Sequence, residues 1–90
     1  MLHGNIIIEN ILYYFLVGKN IIGERVHQAR KNAKPPITQL DLVARLQTAG
    51  VRIDQSGLSK LESGHRPVSD IEVVELAKAL KVSVEWLLGY

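Results

Sequence analysis

The stretch that decides the fold runs from Ile37 to Asp70, ITQLDLVARLQTAGVRIDQSGLSKLESGHRPVSD. Thr38 is a helix cap by residue type, and Leu42, Val43 and Leu46 follow it at helical spacing as the buried positions. Gly50 suits the end of that helix, since only a residue without Cβ turns freely into the left-handed region there. Val51 and Ile53 are apolar residues in an otherwise polar connection and read as plugs in the core. Asp54 is the next cap. It leads a short helix with Leu58 and Leu61 inward and Gln55, Ser56, Ser59 and Lys60 outward, stopped by Gly64 and Pro67. Two short helices joined by a sharp connection, the second with a polar outer face, are therefore expected.

Working outward, Ile22, Val26, Ala29 and Ala33 step by three and four and form one apolar stripe, so a helix precedes this pair. Pro35 and Pro36 end it by removing amide donors and disfavouring α geometry in the residue before them. On the other side, Ser69 and Glu72 have the spacing of a capping box. They open a helix with Ile71, Val74, Leu76, Ala77 and Leu80 as expected core positions. Ser83 caps a last short helix whose Val84, Trp86, Leu87 and Leu88 roof the bundle. The expected class is all-α: five short helices over residues 21–90, with no strand in that range and no internal repeat.

Residues 1–20 read differently, as an apolar N-terminal extension, expected to be helical. The run from Ile6 to Val17 is about a dozen residues, interrupted by Glu9 and Asn10, against the roughly 20 needed to span a bilayer. The preceding MLHGN carries no Lys or Arg, which disfavours a secretory signal. Two readings stay open: a hydrophobic helix that dimerises the protein or covers the bundle, or a translated leader outside the domain.

Composition narrows the function classes. Ninety residues leave room for one small domain, and 47% hydrophobic with 22% charged residues is ordinary for a globular chain. Aromatic residues are 6%, with most of them near the two ends, which argues against a stacking platform for single-stranded nucleic acid. There is no Cys, so disulfides, thiol catalysis and Cys-based zinc sites are excluded, in keeping with a cytoplasmic location. The net charge of +2 is unevenly spread: Glu24 to Arg66 holds eight cations against four anions, whereas Pro67 onward is net −2. The basic part coincides with the helix pair, as a polyanion-binding face requires.

A polar-faced helix in a basic stretch is what reading the DNA major groove needs, because a helix fits that groove and small or hydrogen-bonding side chains reach base edges. The segments IIGERVHQARK, ITQLDLVARLQ, SGLSKLESGHRPVSD and IEVVELAKALKVSVEWLLG, in this order over about 69 of 90 residues, resemble the lambda-repressor-like helix-turn-helix domains of the Cro/CI or XRE type. The resemblance implies a five-helix DNA-binding bundle whose second and third helices form the helix-turn-helix. It implies base contacts by Gln55, Ser56, Ser59 and Lys60, and gives Gln39 a double role in touching phosphate and bracing the recognition helix. It also implies a phosphate contact by Arg66 and a structural salt bridge between Arg30 and Glu62. The residues themselves add Thr38 and Gln39 as free amides at a helix start, and Lys34, Arg52 and Arg66 as mobile charge for phosphates. The chain departs from the family in having Val43 where Ala is usual and Gln47 where Gly is usual. QTAGVRIDQ also lengthens the connection, and Gly57 falls inside the recognition helix, either for close approach to DNA or as a tolerated small residue.

His3, His27 and His65 are scattered and lack metal-ligand spacing, so no metal is expected. His65 reads as a loop residue near phosphate. Trp86 reads as core packing, and the Ser residues, without a base and an orienting acid, as caps or DNA contacts. Arg25, Lys31 and Arg45 read mainly as solvated surface. The expectation is a sequence-specific, non-enzymatic regulator of transcription, a repressor of bacterial or phage type. It would bind double-stranded DNA as a homodimer, without cofactor, small-molecule ligand or membrane, in the cytoplasm on the nucleoid. The competing expectation is a protein-interaction module such as an antitoxin-like or adaptor domain.

Overall fold

Residues 19–90 are described by the computed structural model. They form five helices: α1 (Gly23–Asn32), α2 (Gln39–Thr48), α3 (Gln55–Glu62), α4 (Asp70–Leu80) and α5 (Val84–Leu88), with no strand among the described residues. The all-α expectation therefore holds. Apart from Lys19 and Asn20, the apolar extension lies outside the described residues. No helix among the described residues is long and apolar enough to cross a membrane.

The capping residues bound the elements where the sequence places them. Thr38 Oγ1 accepts from the Asp41 amide at 3.0 Å while Asp41 Oδ2 accepts from the Thr38 amide at 3.2 Å, a reciprocal box at the start of α2. Asp54 Oδ1 accepts from the Gly57 amide at 2.7 Å to start α3. Ser69 and Glu72 form the box of α4, and Ser83 caps α5 through the Trp86 amide. At the other end of α2, Gly50 adopts φ +88°, and the amides of Gly50 and Val51 bond back to the carbonyls of Gln47 and Leu46. This return turn satisfies carbonyls that the helix leaves open and tucks Val51 against its last turn.

The core collects Ile22, Val26 and Ala29 from the first segment, Leu42, Val43 and Leu46 from α2, and Leu58 and Leu61 from α3. Leu76, Ala77, Leu80 and Leu87 complete it, and Val51 and Ile53 are buried plugs as expected. Trp86, Val84 and Leu88 pack partly buried against it. One expectation fails on α4: Ile71 is 69% and Val74 40% exposed. The buried stripe of that helix runs through Leu76, Ala77 and Leu80, with Val73 half-buried beside it, so Ile71 and Val74 fall on the solvent side. Almost every residue type on α4's apolar list fits a core, and only packing against α1, α2 and α5 selects the face.

α1 and α3 meet end to side. An ideal Cβ on Gly23 would lie against the Leu61 carbonyl oxygen and 2.8 Å from that of Glu62, so the glycine permits the start of α1 to touch the last turn of α3.

Candidate nucleic-acid interface

α3 owes its two faces to its period. Leu58 and Leu61 are buried, while Gln55 with Ser59, and Ser56 with Lys60, form two adjacent i, i+4 rows on the exposed side. All four base-contact candidates thus share one exposed face. Gly57 is turned away from it. A Cβ there would meet Asp54 Oδ1 at 3.1 Å and Ile53 Cγ1 at 3.2 Å, so the glycine allows a close approach to its own chain.

A polar chain braces this face from behind. Gln55 Nε2 donates to Gln39 Oε1 at 3.4 Å, and Gln39 Nε2 lies 3.3 Å from Ser59 Oγ and 3.2 Å from Glu62 Oε1. Gln39 at the start of α2 is thus joined to the first and last turns of α3. Glu62 in turn accepts two bonds from Arg30, Nε to Oε2 at 2.6 Å and Nη2 to Oε1 at 2.8 Å, with both side chains 7% exposed. Arg30 Nη1 donates to the Ile37 carbonyl at 3.0 Å, tying α1 to the entry of α2. His27 Nδ1 borders the same carboxylate at 3.3 Å. Burial alone would raise the Glu62 carboxyl, but bonds from Arg30 and Gln39 and the Arg30 charge outweigh it and hold the group below the usual carboxylate range. The expected Arg30–Glu62 bridge is present.

The phosphate candidates divide. Arg52, in the turn between α2 and α3, is exposed, and it borders an open cleft with Asp54, Gly57 and Arg66. Arg66 is not mobile charge: Nη1 and Nη2 bond the two oxygens of Glu72 at 3.1 and 2.9 Å. The Arg66 hydrogen bonds hold the Glu72 carboxyl below its ordinary range, and the carboxylate raises the guanidinium in return. Lys34 is exposed but lines a different cleft, with Asp41, Arg45 and Lys81. At the start of α2 the amides of Thr38 and Asp41 are occupied by their own box, which narrows the anion-facing amides to those of Gln39 and Leu40. The Asp41 carboxylate also sits at this helix start.

Two residues read mainly as solvated surface also make contacts within the fold, Arg25 being half-buried and Arg45 exposed as expected. The Arg25 guanidinium lies 4.8 Å from the Trp86 ring centroid, and Arg45 Nη1 donates to the Ala79 carbonyl at 2.9 Å. Neither contact is encoded in local spacing. Gln47, the departure from the family glycine, has its amide bonded to the Ile53 carbonyl at 3.0 Å and so latches the lengthened turn. The Thr38–Asp41 box had a readable signal, the Thr-x-x-Asp spacing before an apolar run. His65 stands with Nδ1 3.0 Å from Ser63 Oγ in the loop after α3. No cluster of His, Asp and Glu among the described residues is arranged to hold a metal ion.

No curated protein and no solved structure matches the chain significantly. The helix-turn-helix family model, by contrast, matches residues 35–87, which span α2 to the last turn of α5 and include the whole braced pair. A match over more than half of the chain, on a bundle whose α2 and α3 have the connection, caps and exposed face just described, makes this chain a member of the helix-turn-helix family of the Cro/CI or XRE type, a DNA-binding family.

Proposed function

We propose that the protein is a sequence-specific regulator of transcription, of bacterial or phage type, that inserts α3 into the major groove of double-stranded DNA. One observation carries the reading. The exposed face formed by Gln55, Ser56, Ser59 and Lys60 is held by Gln39 to a buried ion pair, an expensive arrangement for a surface with nothing to read. Gln pairs bidentately with adenine and Lys donates to guanine, so Gln55 and Lys60 carry most discrimination, about 1–3 kcal/mol each. Ser56 and Ser59 are less selective. Gln39, the start of α2 and Arg52 meet phosphates. Lys34 is a peripheral phosphate contact, and Arg66 contributes through the outer edge of its pair with Glu72.

Eight helical residues read few bases, so the protein acts as a homodimer on two half-sites one helical turn, roughly 34–36 Å, apart. Repression by occlusion follows as the simplest mechanism, carried out in the cytoplasm on the nucleoid. Selection from random duplexes by the purified full chain tests this reading. Recovery of one motif with two-fold symmetry supports it; failure to enrich any motif overturns it. With the selected duplex, Gln55→Ala and Lys60→Ala are each expected to weaken binding about 5- to 150-fold and to relax preference at one position each.

A further inference from the structure

Asn20 is the last residue of the stretch that the sequence assigns to the apolar extension, yet it is 7% exposed and all of its amide is used. Oδ1 accepts from the amides of Ile22 at 3.0 Å and Gly23 at 2.8 Å, which caps the start of α1. Nδ2 donates to the Leu61 carbonyl at 3.1 Å, in the last turn of α3, and to the Arg66 carbonyl at 2.8 Å, in the loop beyond it. Immediately before it, the Lys19 amide donates to the Gly64 carbonyl. One side chain therefore joins three parts: the start of α1, the end of the recognition helix and the loop that leads to Arg66. The other side of that loop is held by Glu72 from α4.

We infer that Asn20 is a positioning residue for DNA binding, which sets the carboxyl end of α3 and the Gly64–Arg66 loop against the rest of the bundle. The inference rests on the DNA-binding reading above and deepens it. Gln39 restrains α3 from the side of α2, near Gln55, Ser59 and Glu62. Asn20 restrains the last turn of the same helix from the start of α1. Without it the last turn of α3 has one lateral anchor fewer, and small errors in the placement of polar groups cost binding steeply. The two functions of the side chain are separable because acceptor and donor ends bond different elements.

Asn20→Asp keeps the size and the acceptor that caps α1 but replaces the donor by an oxygen facing two carbonyl oxygens. Asn20→Ser keeps a short acceptor favoured at helix starts and does not reach Leu61 or Arg66. Both are compared with Val84→Ala on α5, chosen to lower Tm without touching this contact, in binding to the selected duplex and to an unrelated duplex well below every Tm. Circular dichroism reports folding, so Asn20→Ser supplies the result should Asn20→Asp not fold. The expected result is a loss of tenfold or more for the selected duplex and a smaller ratio of selected over unrelated binding, with Val84→Ala unchanged in both. Folded Asn20 variants within twofold of wild type in affinity and in that ratio would overturn the inference and leave the DNA-binding reading intact. A wild-type chain that selects no duplex would overturn the reading and the inference together.

Discussion

Arg30 and Glu62 are bonded to each other twice and only 7% exposed, so truncating either one strands a buried charge. Arg30→Ala or Glu62→Ala is expected to cost about 3–5 kcal/mol, measured as the shift of the urea unfolding transition. Gln39→Ala leaves the ion pair intact and is expected to cost about 1 kcal/mol, the net value of a typical hydrogen bond. The pair also ties stability to pH. Glu62 and Glu72 are both held below their ordinary range when folded. A depressed carboxyl stabilises the fold above its unfolded pKa, about 4.3, and that contribution is lost as pH falls from there through the depressed folded values. The urea midpoint is therefore expected to drop as pH is lowered below about 4.3. In Glu62→Gln and Glu72→Gln each, part of that drop disappears. At this scale the Arg30–Glu62 bridge was legible through family resemblance, but Arg66–Glu72 was not. Nothing in the spacing of an Arg before a Pro and a Glu in a capping box says that a loop folds one onto the other.

Helix ends give the clearest tests at the scale of elements. Gly50 and Lys81 both occupy the left-handed region, at φ +88° and +58°, and both end a helix with the same pair of return bonds. A Cβ on Gly50 would meet nothing within 4 Å, so Gly50→Ala isolates backbone strain, expected to cost about 1–2 kcal/mol. Lys81 already bears that strain, and Lys81→Gly is expected to raise stability by up to about 1 kcal/mol after the greater freedom of glycine in the unfolded chain is subtracted. Thermal melts of the two variants should move in opposite directions. Elements were more legible than contacts because caps are local: Thr38, Asp54, Ser69 and Ser83 each announce a start within three residues of the amide they satisfy. The exposed Ile71 and Val74 show the limit. On α4 the apolar residues cover more than one stripe, and the choice among stripes is made by neighbouring helices remote in sequence.

For the whole molecule, the basic excess from Glu24 to Arg66 overstates the charge available to DNA. Arg30 and Arg66 are committed to carboxylates, Arg45 to a carbonyl and Arg25 to the Trp86 ring. Few cations remain for phosphates, so the slope of log affinity against log salt is expected to be shallow, about −2 to −4 per protomer. A binding titration between low and moderate salt measures it. The sequence showed where positive charge accumulates; the structure shows that Arg66 is paired with Glu72 from outside that stretch and that Arg25, Arg30 and Arg45 are held in contacts within the fold, which depend on segments far apart in the chain. The central claim is that α3 enters the major groove, and methylation protection on the selected duplex tests it most directly. Guanine N7 is exposed in the major groove and adenine N3 in the minor groove. Bound protein is expected to protect guanine N7 at the motif and leave adenine N3 reactive; protection of adenine N3 alone, or of neither, would contradict the account.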